Sequence, residues 1–148
     1  MTKYCTYSSG GTVDNKTVLD PEDDAATANW GSGWRMPTAK EQDELESFCT
    51  WKWMINYKGS GVNGYEVESK SNGNSIFLPA AGYRDGTSHI DDGSDGYYWS
   101  SSLVGGDYNY SAFSLNFNIA MGIFLNWNNY SIHRYLGQNV RTVRVLSE

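Results

Sequence analysis

Proline, cysteine and histidine are scarce in this chain, and each scarcity removes a class of function. Three prolines against sixteen glycines exclude a polyproline or collagen-like polymer and suit a loop-rich globular chain. Two histidines, His89 and His133, stand in no His-x-His or His-x-x-x-His spacing, so no zinc site is expected. Two cysteines, Cys5 and Cys49, cannot form a disulfide framework. A single bond closing that long loop would be stabilising, and two buried thiols fit equally well. Positive charge is also short, at 11 Lys and Arg against 17 Asp and Glu, and no lysine follows Lys70. A net charge of −6 argues against nucleic acid, which calls for a basic stripe, and against an anionic membrane surface. No apolar run approaches the roughly 20 residues that span a bilayer, so no membrane insertion is expected. No secretory signal is visible at Met1-Thr2-Lys3-Tyr4, and both a virion protein made in the cytoplasm and a trimmed surface protein fit that start.

Aromatic side chains are what the chain has in excess: 15% of residues, with six Trp and eleven Tyr. They offer large amphipathic contact area at low rotamer cost. The length of 148 residues suits a single domain, 1–148, that buries a core without metal or disulfide staples.

The early part carries helix signals. Asp20 caps and Pro21 opens a helix near residues 20–29, whose first turn is loaded by Glu22, Asp23 and Asp24 and which stops at Gly31 and Gly33. Thr38 and Glu41 have capping-box spacing for a second helix near 38–49, with Leu45 and Phe48 on one face. Residues 4–7 read as a short strand and 12–19 as a small hairpin around Asp14-Asn15-Lys16. After Thr50 the pattern turns to strands at Trp51-Lys52-Trp53, Tyr65-Glu66-Val67-Glu68, 75–79 and 97–102. Gly82-Tyr83-Arg84-Asp85-Gly86 starts a long loop, and 140–145 forms a last strand. Leu115, Phe117 and Ile119 alternate with Asn116, Asn118 and Ala120, the period of a strand with one buried face. Helices first and strands afterwards make an α+β domain, two helices packed on small mixed or antiparallel sheets with long loops, the N- and C-terminal strands paired. The expected core is Trp34, Leu45, Phe48, Phe77, Leu78, Trp99, Leu115, Phe117 and Val143.

Residues 105–139 hold Asp107 as the only acid, Arg134 as the only clear base, seven asparagines and four tyrosines. That composition is close to antibody loops, with rigid aromatic anchors and adaptable polar groups between them. It lacks the charge that solubilises an ordinary surface. A ligand-binding face is therefore expected, made of Tyr108, Tyr110, Ser114, Asn116, Asn118, Ala120, Asn126, Asn128, Tyr130, Ser131, Ile132, His133, Tyr135 and Leu136, all on one solvent-facing surface. The acidic loop of Asp85, Asp91, Asp92 and Asp95 does not have EF-hand spacing. Trp127-Asn128-Asn129 lacks the third acid of a calcium-binding Trp-Asn-Asp. No metal, cofactor or catalytic residue is expected. Arg84, Arg141 and Arg144 are expected to be structural, each paired with an acid or a carbonyl.

Six stretches in order carry a resemblance. They are Leu19-Asp20-Pro21-Glu22-Asp23-Asp24-Ala25-Ala26, Trp34-Arg35-Met36-Pro37-Thr38, Cys49-Thr50-Trp51-Lys52-Trp53, the run from Asn74 through Phe77-Leu78-Pro79-Ala80-Ala81-Gly82-Tyr83 to Arg84, Tyr98-Trp99-Ser100-Ser101-Ser102, and Gly137-Gln138-Asn139-Val140-Arg141. Together they resemble the major paralogous domain of Bacteroidetes surface and phage proteins, a C-type-lectin-like fold shared with the formylglycine-generating enzymes. Some members are similar to the variable proteins of diversity-generating retroelements, in which a C-terminal cassette is rewritten at adenines. The resemblance implies a variable region at about 97–145 and a non-enzymatic, hypervariable recognition module. It would sit on a bacterial cell surface or phage virion, with a protein or glycan on another cell as its partner. A non-diversified surface or adhesin domain is the alternative. An enzyme of the formylglycine-generating type is a weaker one, since both cysteines lie in the first half of the chain.

Overall fold

A computed structural model describes residues 3–8, 10–108, 110–120, 122–125 and 132–145. The chain is α+β, with two helices and a majority of strands in open sheets. Helix α1 spans Ala25–Trp30 and α2 spans Ala39–Phe48.

The cap of α1 is Asp24, not Asp20. Residues 20–24 first make a turn, in which the Asp23 and Asp24 N–H groups donate to the Asp20 carbonyl. Lys16 Nζ, 2.6 Å away, holds the Asp20 carboxylate. The Asp24 carboxylate is buried and fully used: Oδ1 accepts from the Ala26 and Thr27 N–H groups at 2.9 Å each, and Oδ2 accepts from the Met36 N–H at 2.9 Å. It thus ties the start of α1 to the start of the segment leading into α2.

The capping box of α2 forms as its spacing predicts. The Glu41 N–H donates to Thr38 Oγ1 (3.2 Å), and the Thr38 N–H donates to Glu41 Oε2 (2.8 Å). Glu41 also takes both guanidinium nitrogens of Arg35, at 2.7 and 2.6 Å. Arg35 and the Thr38 donors together bring its carboxyl down to about 2 against the opposing effect of burial.

Strand β1 (Trp34–Arg35) pairs antiparallel with β11 (Val143–Arg144). The C-terminal partner is therefore Trp34–Arg35 rather than residues 4–7, which make only a single bridge from Cys5 to Val13. Residues 12–19 form no hairpin; Val18 bridges instead to Ser102. The expected last strand contracts to two residues. A three-stranded antiparallel sheet contains β2 (Cys49–Met54), β3 (Gly64–Ser69) and β4 (Ser75–Pro79).

The largest sheet has the order β10-β8-β7-β5-β6, with β9 also on β8. Its strands are β5 (Ala81–Asp85), β6 (Ser88–Asp92), β7 (Asp95–Leu103), β8 (Ser111–Asn118), β9 (Gly122–Leu125) and β10 (Ile132–His133). The expected loop after Gly82 is thus a hairpin, β5 to β6, turning at Gly86 with φ 56°. A positive φ there is open to glycine at little cost.

The main core gathers Tyr65, Val67, Leu78, Ala80, Tyr98, Leu115 and Phe117, with Trp51 and Trp53 packed against it. Phe117 is its hub, meeting Tyr65 edge-on at 5.2 Å. Leu78, Leu115 and Phe117 are buried as expected. Leu45, Phe77, Trp99 and Val143 are half-buried, while Trp34 and Phe48 are exposed, against expectation. The inward row of α2 runs Ala39, Gln42, Leu45, and Phe48, next along it at the final turn, is left uncovered. Both cysteines are free thiols. No helix among the described residues is long and apolar enough to cross a membrane.

Candidate functional site

The antiparallel pairing of β10 with β8 builds a row of exposed rings. Ile132 and His133 lie opposite Ala112 and Ser111, and the Arg134 N–H donates to the Tyr110 carbonyl at 3.0 Å. Side chains that flank this short ladder are forced together. Tyr108 meets Tyr110 at 6.3 Å between ring centroids, Tyr110 meets His133 at 5.3 Å, and His133 stacks on Tyr135 at 5.3 Å. The tight turn after His133, closed by the Leu136 N–H on the His133 carbonyl (3.1 Å), sets Tyr135 beside the imidazole. Tyr108, Tyr110 and Tyr135 are 54%, 41% and 72% exposed. His133 is exposed as well, and its chain neighbour Ile132 and Leu136 of the following turn are half-buried. Of the expected face, Tyr108, Tyr110, His133 and Tyr135 come together.

Ser114 and Asn116 do not join them; both are buried. The strand alternation puts them opposite Leu115 and Phe117 as predicted, yet that second face is covered too. Trp99 and Tyr97 lie across the strand pair from Ser114 and Asn116, and Gln138 returns over them. The Ser114 hydroxyl contacts both Asn116 Oδ1, at 2.7 Å, and the Gln138 amide oxygen. Asn118 is half-buried and donates to Asp95 Oδ1 (2.7 Å). Ala120 is exposed, but lies past the far end of β8 from Tyr110. An eight-residue strand separates the two by about 25 Å. The expected single surface is therefore divided by a buried middle. Asn126, Asn128, Tyr130 and Ser131 lie outside the described residues.

Tyr83 and Tyr97 extend the aromatic feature and were not foreseen. Their rings meet edge-on at 4.9 Å. Burial first, then Asp91 and Asp85, raise the Tyr83 phenol, and the Tyr135 phenol adds to the shift. Tyr97 donates toward Asp91 Oδ2 (3.2 Å) and Asp95 Oδ2 (3.3 Å). Burial and these two carboxylates hold its phenol far above the ordinary range. Tyr83 stands alone between Tyr65 and Tyr97 in the sequence, and the hairpin that brings it beside Tyr97 was read as a loop, so no local signal joined the two.

The acidic residues have local uses. Asp95 and Asp91 serve Tyr97 and Asn118, and Asp92 lies 3.9 Å from His89. Among the described residues the one carboxylate cluster of metal-binding size is Asp20, Glu22 and Asp23, and Lys3 Nζ occupies its centre at 4.0, 3.1 and 2.7 Å. Arg84 reaches only the Thr87 carbonyl, at 3.5 Å. Arg141 was expected to have an acid or carbonyl partner, and among the described residues none pairs with it.

In comparisons with known proteins, the chain matches no family model, no curated protein and no solved structure.

Proposed function

We propose that this chain is a recognition module, with a scaffold of the C-type-lectin-like kind, that binds a protein or glycan on another cell through the Tyr108–Tyr110–His133–Tyr135 row. One observation carries the reading: the rings stack on each other while remaining open to solvent. An exposed run of large amphipathic rings is costly to leave uncovered and useful to a binder, because each ring brings much area at small entropy cost. Mutual stacking fixes the row before any partner arrives. The chain as a whole carries a net charge of −6, which suits a neutral or cationic partner surface.

The test is binding of the purified chain to a panel of glycans and of whole bacterial cells, with and without Tyr110→Ala and Tyr135→Ala. Loss of binding with an unchanged melting temperature supports the reading. Equal binding by the double variant removes it.

A diversified version of this function, with a variable region at about 97–145, adds a genetic condition: a reverse transcriptase gene beside a near-copy of the C-terminal coding sequence. The buried Ser114 and Asn116 favour the second reading, a surface or adhesin domain without diversification, because rewriting those two positions would disturb packing. The gene neighbourhood separates the two.

A further inference from the structure

A second candidate site lies on the other face of the β7–β8 pair. Tyr98 and Leu115 point toward α2, away from Ser114 and Asn116, and between them and the helix is a cavity of about 510 Å³. Leu45, Cys49, Ile76, Leu78, Leu115 and Val143 line it. A cleft walled mainly by aliphatic carbon keeps apolar surface open to water, and an apolar ligand that covers it is favoured. The volume falls within the range of pockets that take small organic ligands. Phe48, exposed at the last turn of α2, also lines the opening.

The polar groups around the cavity are nearly all committed. The Tyr98 hydroxyl donates to the Pro79 carbonyl (2.7 Å), and Gln42 Nε2 donates to the Tyr98 carbonyl (3.0 Å). Glu41 is locked to Arg35. Arg141 lines the cavity, and among the described residues neither a carboxylate nor a carbonyl accepts from it. Its guanidinium is near enough to the Tyr98 phenol to pull against the upward push of burial. Glu44 is the remaining uncommitted charge on the rim. An apolar chamber whose rim carries one always-charged fork donor that no described carboxylate or carbonyl takes suits a ligand that has an apolar body and a carboxylate head.

We propose that this cavity binds a small amphiphilic carboxylate, its aliphatic chain between α2 and β4 and its carboxylate on Arg141. The site is independent of the aromatic row, so Tyr110→Ala and Tyr135→Ala leave it intact.

The test is calorimetry and thermal melting of the whole chain with decanoate, decanol and decyltrimethylammonium, each below its micelle concentration. Decanoate should raise the melting temperature and bind about ten-fold more tightly than decanol, with the ammonium weakest. Arg141→Gln should abolish the preference for decanoate over decanol, and Glu44→Gln should sharpen it. Ile76→Trp, which fills the chamber, should eliminate binding of all three. If that variant misfolds, the rim variants still decide the matter. No heat and no melting shift with decanoate would overturn the proposal. So would equal affinity for decanoate and decanol, or a preference that survives in Arg141→Gln.

Discussion

A methyl group placed on Gly96 would lie 2.0 Å from Cζ of Phe117, well inside contact distance. Phe117 cannot retreat, because Tyr65, Trp51, Trp53 and Tyr98 surround it. Gly96→Ala should therefore destabilise the chain by about 1–3 kcal/mol, the usual cost of overpacking. In a thermal melt this reads as a loss of several degrees, and an unchanged midpoint would show that the core yields more readily than its geometry implies. The exposed rings behave oppositely. Tyr110→Ala and Tyr135→Ala remove side chains that face solvent and should stay within about 0.5 kcal/mol of the parent in a denaturant titration. At this scale the sequence was legible where one apolar residue had to find a core. Leu78, Leu115 and Phe117 are buried as their pattern says. It was less legible at Ser114 and Asn116, because period-2 alternation tells which face a residue takes but not what lies over that face.

Helix caps were the clearest signals among the elements, and they also show how local a cap is. Thr38 and Glu41 were readable because three-residue spacing is the geometry of the box itself. In the run Asp20-Pro21-Glu22-Asp23-Asp24 the expected cap, Asp20, is instead held by Lys16, and Asp24, expected in the first turn, caps α1 and takes the Met36 N–H. Asp24→Ala should cost at least the roughly 0.5–2 kcal/mol of an N-cap, while Asp20→Ala should cost less; equal losses in a denaturant titration would contradict this. Glu41 adds a pH dependence. Its folded pKa lies at about 2, below the ordinary 4.5 of a free glutamate. A depressed carboxyl contributes stability that is complete above the unfolded value and is lost as pH falls through the folded one. The melting temperature should hold from neutral pH to about 5 and decline from there towards pH 2, and Glu41→Gln should flatten that part of the decline. The hairpin of β5 and β6 was misread for a different reason. Asp85-Gly86 is a hairpin signal, yet Arg84, Thr87, Ser88 and His89 around it are polar and exposed, so no alternation marked the strands.

Across the whole molecule, residues 137–139 make a long-range link by entering where β5 and β7 separate. β5 and β7 touch in parallel at Gly82 and Gly96. Beyond that point Gly137 bridges Arg84 of β5, and Asn139 bridges Tyr98 of β7. The Arg84 N–H donates to the Gly137 carbonyl at 2.7 Å, and the Trp99 N–H donates to the Asn139 carbonyl at 3.0 Å. The Asn139 side chain adds a clasp, with Nδ2 within 3.0 Å of both the Gly82 and Tyr97 carbonyls. By composition Asn139 is one asparagine among seven in a stretch that looked like adaptable surface, and only its place in Gly137-Gln138-Asn139-Val140-Arg141 set it apart. Its neighbours in space come from more than forty residues away, so no periodicity could show what it holds. Asn139→Ala takes this donor from both carbonyls; the Tyr97 carbonyl keeps the Asn139 N–H at 2.9 Å, and a Gly82 carbonyl left buried without a partner costs about 1–3 kcal/mol. The loss should be local in hydrogen exchange: the amides of Arg84 and Trp99 should exchange faster, while those of β2 and β3 keep their protection. The same variant discriminates among the asparagines of this region. If the region is rewritten in nature, substitutions should collect at Tyr108, Tyr110, His133 and Tyr135, and Asn139 should stay constant together with Ser114 and Asn116. A set of natural variants in which Asn139 changes as freely as Tyr135, with unfolding midpoints unaltered, would show that the clasp is dispensable and that the division between fixed frame and free surface lies elsewhere.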